Sequence, residues 1–265
     1  MIIDFHTHAF PDSMAEKAVG KLAKTANLTP VGDGTVSDLL EYKKKYDVDI
    51  CVLLHIAVKP SSVRDVNDFA DATNQLDGVA AFGSVHPMGD DVTGQVEDVK
   101  ARGLYGIKLH PAYQRFELFD DRADEMFGAI EKSGLPVLIH AGWDPYDGEH
   151  TWAFPKDEAD VLARHPNLKM ILAHMGGMMC WDDVDRYLVG KNVYFDLANC
   201  AQYMPFDQYI RLAKKHGADR LLLGSDYPWE TVEDEMDALA RMGLSSGEME
   251  KILYQNAREL LSPER

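Results

Sequence analysis

His6-Thr7-His8 closes an apolar run that begins at Ile2. On a strand, residues i and i+2 point the same way, so the two imidazoles can grip one ion. Polar residues end the later apolar runs too. They are His55, His86, Lys108 with His110, His140, His174, and Asp226 after Leu221-Leu222-Leu223. Seven of the ten histidines stand at such ends, and that many half-buried imidazoles need partners. A metal ion would partner several at once. His6, His8, His140, His174 and Asp226 are therefore the candidate metal constellation, because Zn²⁺ takes imidazole nitrogen and carboxylate oxygen and leaves a position for water. His55 and His86 read as groups that only hydrogen-bond neighbouring strand ends.

The elements that must carry these residues recur. Apolar segments at 2–8, 50–56, 79–87, 104–111, 135–142, 168–176, 193–198 and 221–228 each precede a helix-like stretch. From the second onward they start 25 to 33 residues apart, one strand plus one crossover helix. Runs such as Pro136-Val137-Leu138-Ile139 suit strands covered on both faces. Helices are predicted over 121–132, 157–164 and 206–215, and a Ser245/Glu248 capping box opens a C-terminal helix reaching Leu261. Residues 9–34, with Pro11, Pro30, Gly32 and Gly34, read as a loop or lid-like insertion after strand 1, followed by a helix over 37–46. Eight such units give an α/β fold, a single (β/α)₈ TIM barrel spanning 1–265. The open doubly wound alternative lacks a GxGxxG after the first strand.

Charge and cysteine usage narrow the partners. A formal net charge of -17 leaves no basic excess for nucleic acid or an anionic membrane, which points to a small-molecule substrate. Cys51, Cys180 and Cys200 are odd in number and widely spaced, as in a reducing cytoplasm. Residues 1–6 do not read as a signal peptide, and no apolar run is long enough to span a bilayer.

The segments IIDFHTHAFP, GIKLHP, PVLIHAG, ILAHMGG, LLLGSDYP and ILYQNARELL, in that order from residue 2 to 261, resemble the amidohydrolase superfamily. They most resemble its amidohydrolase 2 branch, which includes relatives of aminocarboxymuconate semialdehyde decarboxylase. The resemblance implies a divalent ion at the barrel mouth, Zn²⁺ first and Mn²⁺ as the alternative, and a homodimer. It implies His6, His8 and His140 as ligands, with Asp226 completing or flanking them. His174 would be a base or polarising residue beside one ion, or a ligand where there are two. One ion is the favoured count; a pair would need Lys108 carboxylated as a bridge. Asp226 would then take the proton of an activated water, and His174 would polarise a carbonyl or protonate a leaving group. Lys108, His110, Tyr113, Arg115 and Trp143 are the candidate substrate contacts. Met175, Met178 and Met179 read as gap-filling side chains.

Four functions compete. The first is hydrolysis of a small amide, ester or lactone. The second is nonoxidative decarboxylation of a small unsaturated or aromatic carboxylate at the same site. Semialdehyde decarboxylases are associated with an arginine after strand 1. Residues 9–50 hold none, and Lys17, Lys21 and Lys24 lack its bidentate fork, so hydrolysis leads. A TatD-type nuclease would carry Glu in place of Lys108. A non-catalytic barrel would have no use for water-activating groups.

Overall fold

The computed structural model describes residues 1–262. Eight parallel strands run in sequence order: β1 (Ile3–Thr7), β2 (Ile50–Leu54), β3 (Val79–Ser84), β4 (Gly106–Leu109), β5 (Val137–Ile139), β6 (Met170–Leu172), β7 (Tyr194–Asp196) and β8 (Leu221–Leu222). Hydrogen bonds past the end of β8 bring it back to β1. Phe5 N–H donates to Leu223 O, Asp226 N–H to His6 O and His8 N–H to Tyr227 O, each at 2.8 Å. The expected TIM barrel is thus formed, nearly closed.

Strand alternation builds two apolar layers. Ile3, Phe5, Val52, Leu54, Ala80, Phe82, Leu138, Ile171 and Leu222 fill the barrel interior. Their neighbours Cys51, Leu53, Ala81, Ile107, Val137 and Leu172 pack outward under the helices. Both faces are covered, which is why these strands read as unbroken apolar runs.

The strands are shorter than the apolar runs that announce them, because the last residues of each run turn into the loops at the mouth. The run over 168–176 stops being strand at Leu172. His174 and Met175 then adopt left-handed backbone, with φ of 58° and 54°.

Predicted helices appear at Asp121–Ser133, Pro155–Arg164, Phe206–His216 and Val36–Lys45. The Ser245/Glu248 capping box forms, and the chain beyond it is helical through a π turn at Lys251–Gln255 to Leu261. The segment after β1 differs from expectation. Residues 9–34 are not a loop throughout, since Asp12–Ala26 is a helix. Its helix-breaking residues lie outside it apart from Gly20, and Ala15 and Val19 give it a buried stripe. It stops where Asn27 turns left-handed, φ 54°, and sends its N–H to Ala23 O. This helix packs against the Pro145–Asp147 turn that follows β5. No helix among the described residues is long and apolar enough to cross a membrane.

Candidate active site

A bulge aims the first ligands. Asp4 pairs with Cys51 and Thr7 with Leu53, so Phe5 and His6 stand where β2 has only Val52. The extra residue shifts the alternation. Phe5 stays inside the barrel, and His6 and His8 then face the mouth instead of sharing the outward face of Asp4.

Asp4 itself pins the bulge to β8. Its buried carboxylate accepts from Tyr42 OH (2.8 Å), Ser225 Oγ (2.6 Å), Ser225 N–H (2.9 Å) and His6 N–H (3.2 Å). Burial outweighs those bonds and raises its pKa to about 6.

Three acceptor atoms converge at the end of β1. His6 Nε2 lies 3.2 Å from His8 Nε2, and each lies 3.2 Å from Asp226 Oδ1. Both rings spend their other nitrogen elsewhere. His6 Nδ1 is 2.8 Å from Asp196 Oδ2, and His8 Nδ1 is 3.1 Å from Leu54 O. Neither oxygen can donate to a neutral imidazole, so each Nδ1 carries the hydrogen and each Nε2 presents a lone pair. Three lone pairs aimed at one point repel unless a cation lies among them. The spacing also suits ligands bound to one ion at ~2.0–2.2 Å. The residues present fit a divalent metal.

The supporting groups are equally specific. Asp196 Oδ1 accepts from His174 N–H (2.9 Å) and Ala198 N–H (3.2 Å), so one carboxylate orients both His6 and His174. Asn199 Nδ2 donates to Asp226 Oδ2, and Asp226 sits at φ 66°. Burial pushes the Asp226 carboxyl up, but His6, His8 and His174 together hold it below the ordinary carboxylate value. Asp196 and Asn199 were missed in the sequence. Asp196 had the same signal as the others, a charge ending the apolar run Val193-Tyr194-Phe195. Asn199 had none.

His140, also expected as a ligand, belongs to a second group of atoms close enough to hold an ion. It joins His110 and Asp144, while His6, His8 and Asp226 form their own group. His174 stands between, with its Nε2 3.2 Å from His140 Nδ1 and its ring centre 5.2 Å from that of His6. Burial depresses the pKa of His6, His110 and His140 well below the usual imidazole value, aided by Lys108 beside His6 and His110 and by His110 beside His140.

Lys108 is 1% exposed, and its Nζ lies 3.4 Å from His6 Nε2. Burial lowers its pKa to about 8 against the pull of Asp196, Asp226 and Asp144. His110 is stacked between Tyr113 (centroids 3.6 Å apart) and His140 (4.1 Å). Trp143 is half-buried and donates through Nε1 to Gly148 O at 3.0 Å. Arg115 is exposed, with its guanidinium 6.0 Å from the Tyr146 ring centre. Lys17, Lys21 and Lys24 are exposed on the helix after β1. His55 bonds Thr73 Oγ1 at 3.2 Å, in the helix Val63–Asn74, and His86 Nδ1 accepts from Met88 N–H at 3.2 Å in its own loop, so their partners are not the neighbouring strand ends expected.

Barrel, mouth and motif order define an amidohydrolase, and the chain belongs to that family, whose model matches residues 3–262. It is similar to gamma-resorcylate decarboxylase of Rhizobium sp. (strain MTP-10005), 26% identical over 172 residues. That match takes in 51% of this chain and 52% of the relative, so the chain spans about half the length of that relative. Among solved structures, a dihydroxybenzoic acid decarboxylase from Polaromonas sp. JS666, with bound manganese and the inhibitor 2-nitroresorcinol, superposes with a TM-score of 0.72. The two are 17% identical, over 98% of this chain and 96% of that one. A probable 2-pyrone-4,6-dicarboxylic acid hydrolase from Acinetobacter baumannii with citric acid bound gives 0.70 at 19% identity, over 98% of each chain. At such identities these two structures speak for the fold alone.

Proposed function

We propose that the protein is a metal-dependent carboxy-lyase that removes CO₂ from a small aromatic or unsaturated carboxylate. The observation that carries this reading over hydrolysis is the match to a curated decarboxylase across half the chain. The objection from a missing arginine loses its force, because Lys108 puts a buried cation beside the metal trio.

His6, His8 and Asp226 would hold the ion, one in number and Zn²⁺ or Mn²⁺ in kind. The chemistry a divalent ion supplies there is Lewis-acid neutralisation of substrate oxygens. The chain's own groups do the rest. Lys108 Nζ is mostly protonated at neutral pH and pairs with the substrate carboxylate. The flat stack of Tyr113, His110 and His140 lines the mouth beside a planar substrate. When the C–C bond breaks, its electron pair stays on carbon and takes up a proton. Lys108 is the buried group able to hold one there. The helix Asp12–Ala26 packs on the turn after β5.

Hydrolysis of an amide, ester or lactone is the second reading. It is favoured by the ionised Asp226, which is able to take a proton from water.

Turnover separates the two. Metal-loaded protein is screened against aromatic and unsaturated carboxylates, lactones and amides in ¹⁸O-labelled water. The expected result is one CO₂ per substrate consumed, with no label in the organic product. Label in a newly formed carboxylate, without CO₂ release, overturns the carboxy-lyase.

A further inference from the structure

Asp226 offers one carboxylate oxygen to the metal trio and is held from behind by the other. Asn199 supplies that hold, its Nδ2 donating to Asp226 Oδ2. Charge sets the orientation of the amide, because a flipped Asn199 would turn its own oxygen against an ionised carboxylate. Asn199 Oδ1 therefore faces the other way, where it is buried without a hydrogen-bond partner.

A second unpaired oxygen lies beside it. Glu230, in the loop after β8, is 7% exposed, and its Oε2 is likewise buried without a partner. The Glu230 carboxyl meets the backbone N–H of Asn199, so the two unpaired oxygens are separated by no more than the Asn199 side chain. Buried polar atoms in a folded protein are normally paired, and here two are left over together.

The surroundings of Glu230 decide how they pair. The charges acting most strongly on it are all carboxylates, Glu235 and Asp234 from the helix Val232–Ala240 and Asp226 from its own loop. Cys200, Tyr203 and Tyr209 face it from the next two helices, Cys200–Tyr203 and Phe206–His216, and all three are neutral at pH 7. Glu230 forms no ion pair among the described residues. Burial and the neighbouring carboxylates lift its pKa to about 9, so it carries a proton at neutral pH. A buried acid O–H needs an acceptor, and the amide oxygen needs a donor. One hydrogen satisfies both. Ionised, Glu230 would instead draw the Asn199 N–H₂ towards itself and away from Asp226.

We propose that Glu230 is a positioning residue for the site: its carboxyl hydrogen goes to Asn199 Oδ1 and fixes the amide that holds Asp226. This rests on the metal site of the reading above and not on the reaction.

Two variants of similar size separate the hydrogen from the packing. Glu230→Gln keeps a donor in its N–H₂, whereas Glu230→Met keeps the volume without one. In competition against a chelator at pH 7, Glu230→Gln should match the wild-type metal affinity. Glu230→Met should bind about tenfold more weakly, the lower end of what loss of an outer partner costs. Wild-type affinity should also fall relative to Glu230→Gln as pH rises through about 9, since the Glu230 hydrogen is present below that pH and lost above it. Lys108 and Glu235 titrate nearby, but in both proteins, so the ratio reads Glu230. Wild-type affinity in Glu230→Met overturns the proposal, as does a ratio that stays flat. The carboxyl ¹³C signal of Glu230 in metal-free protein should be that of the acid at pH 7, and an ionised signal overturns it too. If Glu230→Met does not fold, the ratio and the signal decide. A wild type that binds no metal would overturn the metal reading, and the carboxyl signal would then decide the bond to Asn199 alone.

Discussion

Two groups of identical composition, His6/His8/Asp226 and His110/His140/Asp144, sit in one mouth and are built differently. In the first, both imidazoles commit Nδ1–H to an oxygen, and both Nε2 lone pairs meet the carboxylate at 3.2 Å. In the second, the rings of His110 and His140 lie flat together, 8° apart, and their Nε2 atoms face Asp144 Oδ2 at 3.5 and 3.4 Å. Two histidines and an aspartate do not by themselves make a metal site. The bond on the far side of each ring decides whether its near side is a ligand or a donor.

The largest expected effect would break the comparison outright. His6→Ala or His8→Ala should weaken metal binding by more than the ~10–100-fold that loss of an outer partner costs, since each removes a ligand. His140→Ala should keep its metal. Elemental analysis after dialysis checks both, and loss of metal from His140→Ala to the same degree would merge the two groups into one site. Next comes Asp226→Asn, in which the amide can still offer an oxygen to the ion but cannot exchange a proton. If Asp226 takes the proton of a water, as hydrolysis requires, turnover should fall by about 10²–10⁴ with metal at least partly retained; a smaller fall that follows metal occupancy alone would agree with the carboxy-lyase, in which Lys108 supplies the proton. Smaller again is Asp196→Asn. Replacing the acceptor of His6 Nδ1–H by an amide loosens the tautomer, so metal affinity should drop ~10–100-fold while the barrel stays folded. Competition against a chelator of known affinity measures it, and an unchanged constant would show that His6 needs no fixing from behind.

Much of the first group was legible in the sequence, and little of the second. The i, i+2 rule shows that His6 and His8 share a face, and Asp226 announces itself as a charge after three leucines. That rule does not say which face. The answer lies in the bulge between Asp4 and Thr7, which depends on the register of β2, some 45 residues away in the chain. Asp144 lies in the loop beyond β5, where no alternation applies, and only the folded mouth brings it to His110 and His140. The helix Asp12–Ala26 was hidden by the prolines and glycines that flank it, because they mark where a helix stops as readily as where none exists. The eight strands were legible because burial on both faces leaves a continuous apolar run in the chain itself. Their short lengths were not, since the same apolar residues continue into the loops that carry the site.

The smallest effect separates what holds each group together. Hydrogen bonds to oxygen orient the converging trio, whereas ring packing orders the stack of Tyr113, His110 and His140. Tyr113→Leu keeps an apolar side chain beside His110 but removes a ring lying 3.6 Å from it at 9°. Such a pair is worth about 0.5–1.5 kcal/mol beyond the area it buries, so the urea midpoint should fall by a corresponding amount. Metal affinity should not move. Asp196→Asn should do the converse, with a large change in metal affinity and a small one in the urea midpoint. Should Tyr113→Leu weaken metal binding as much as Asp196→Asn does, the stack would be steering the ligands through His140 and His174, and the two groups would be one coupled device.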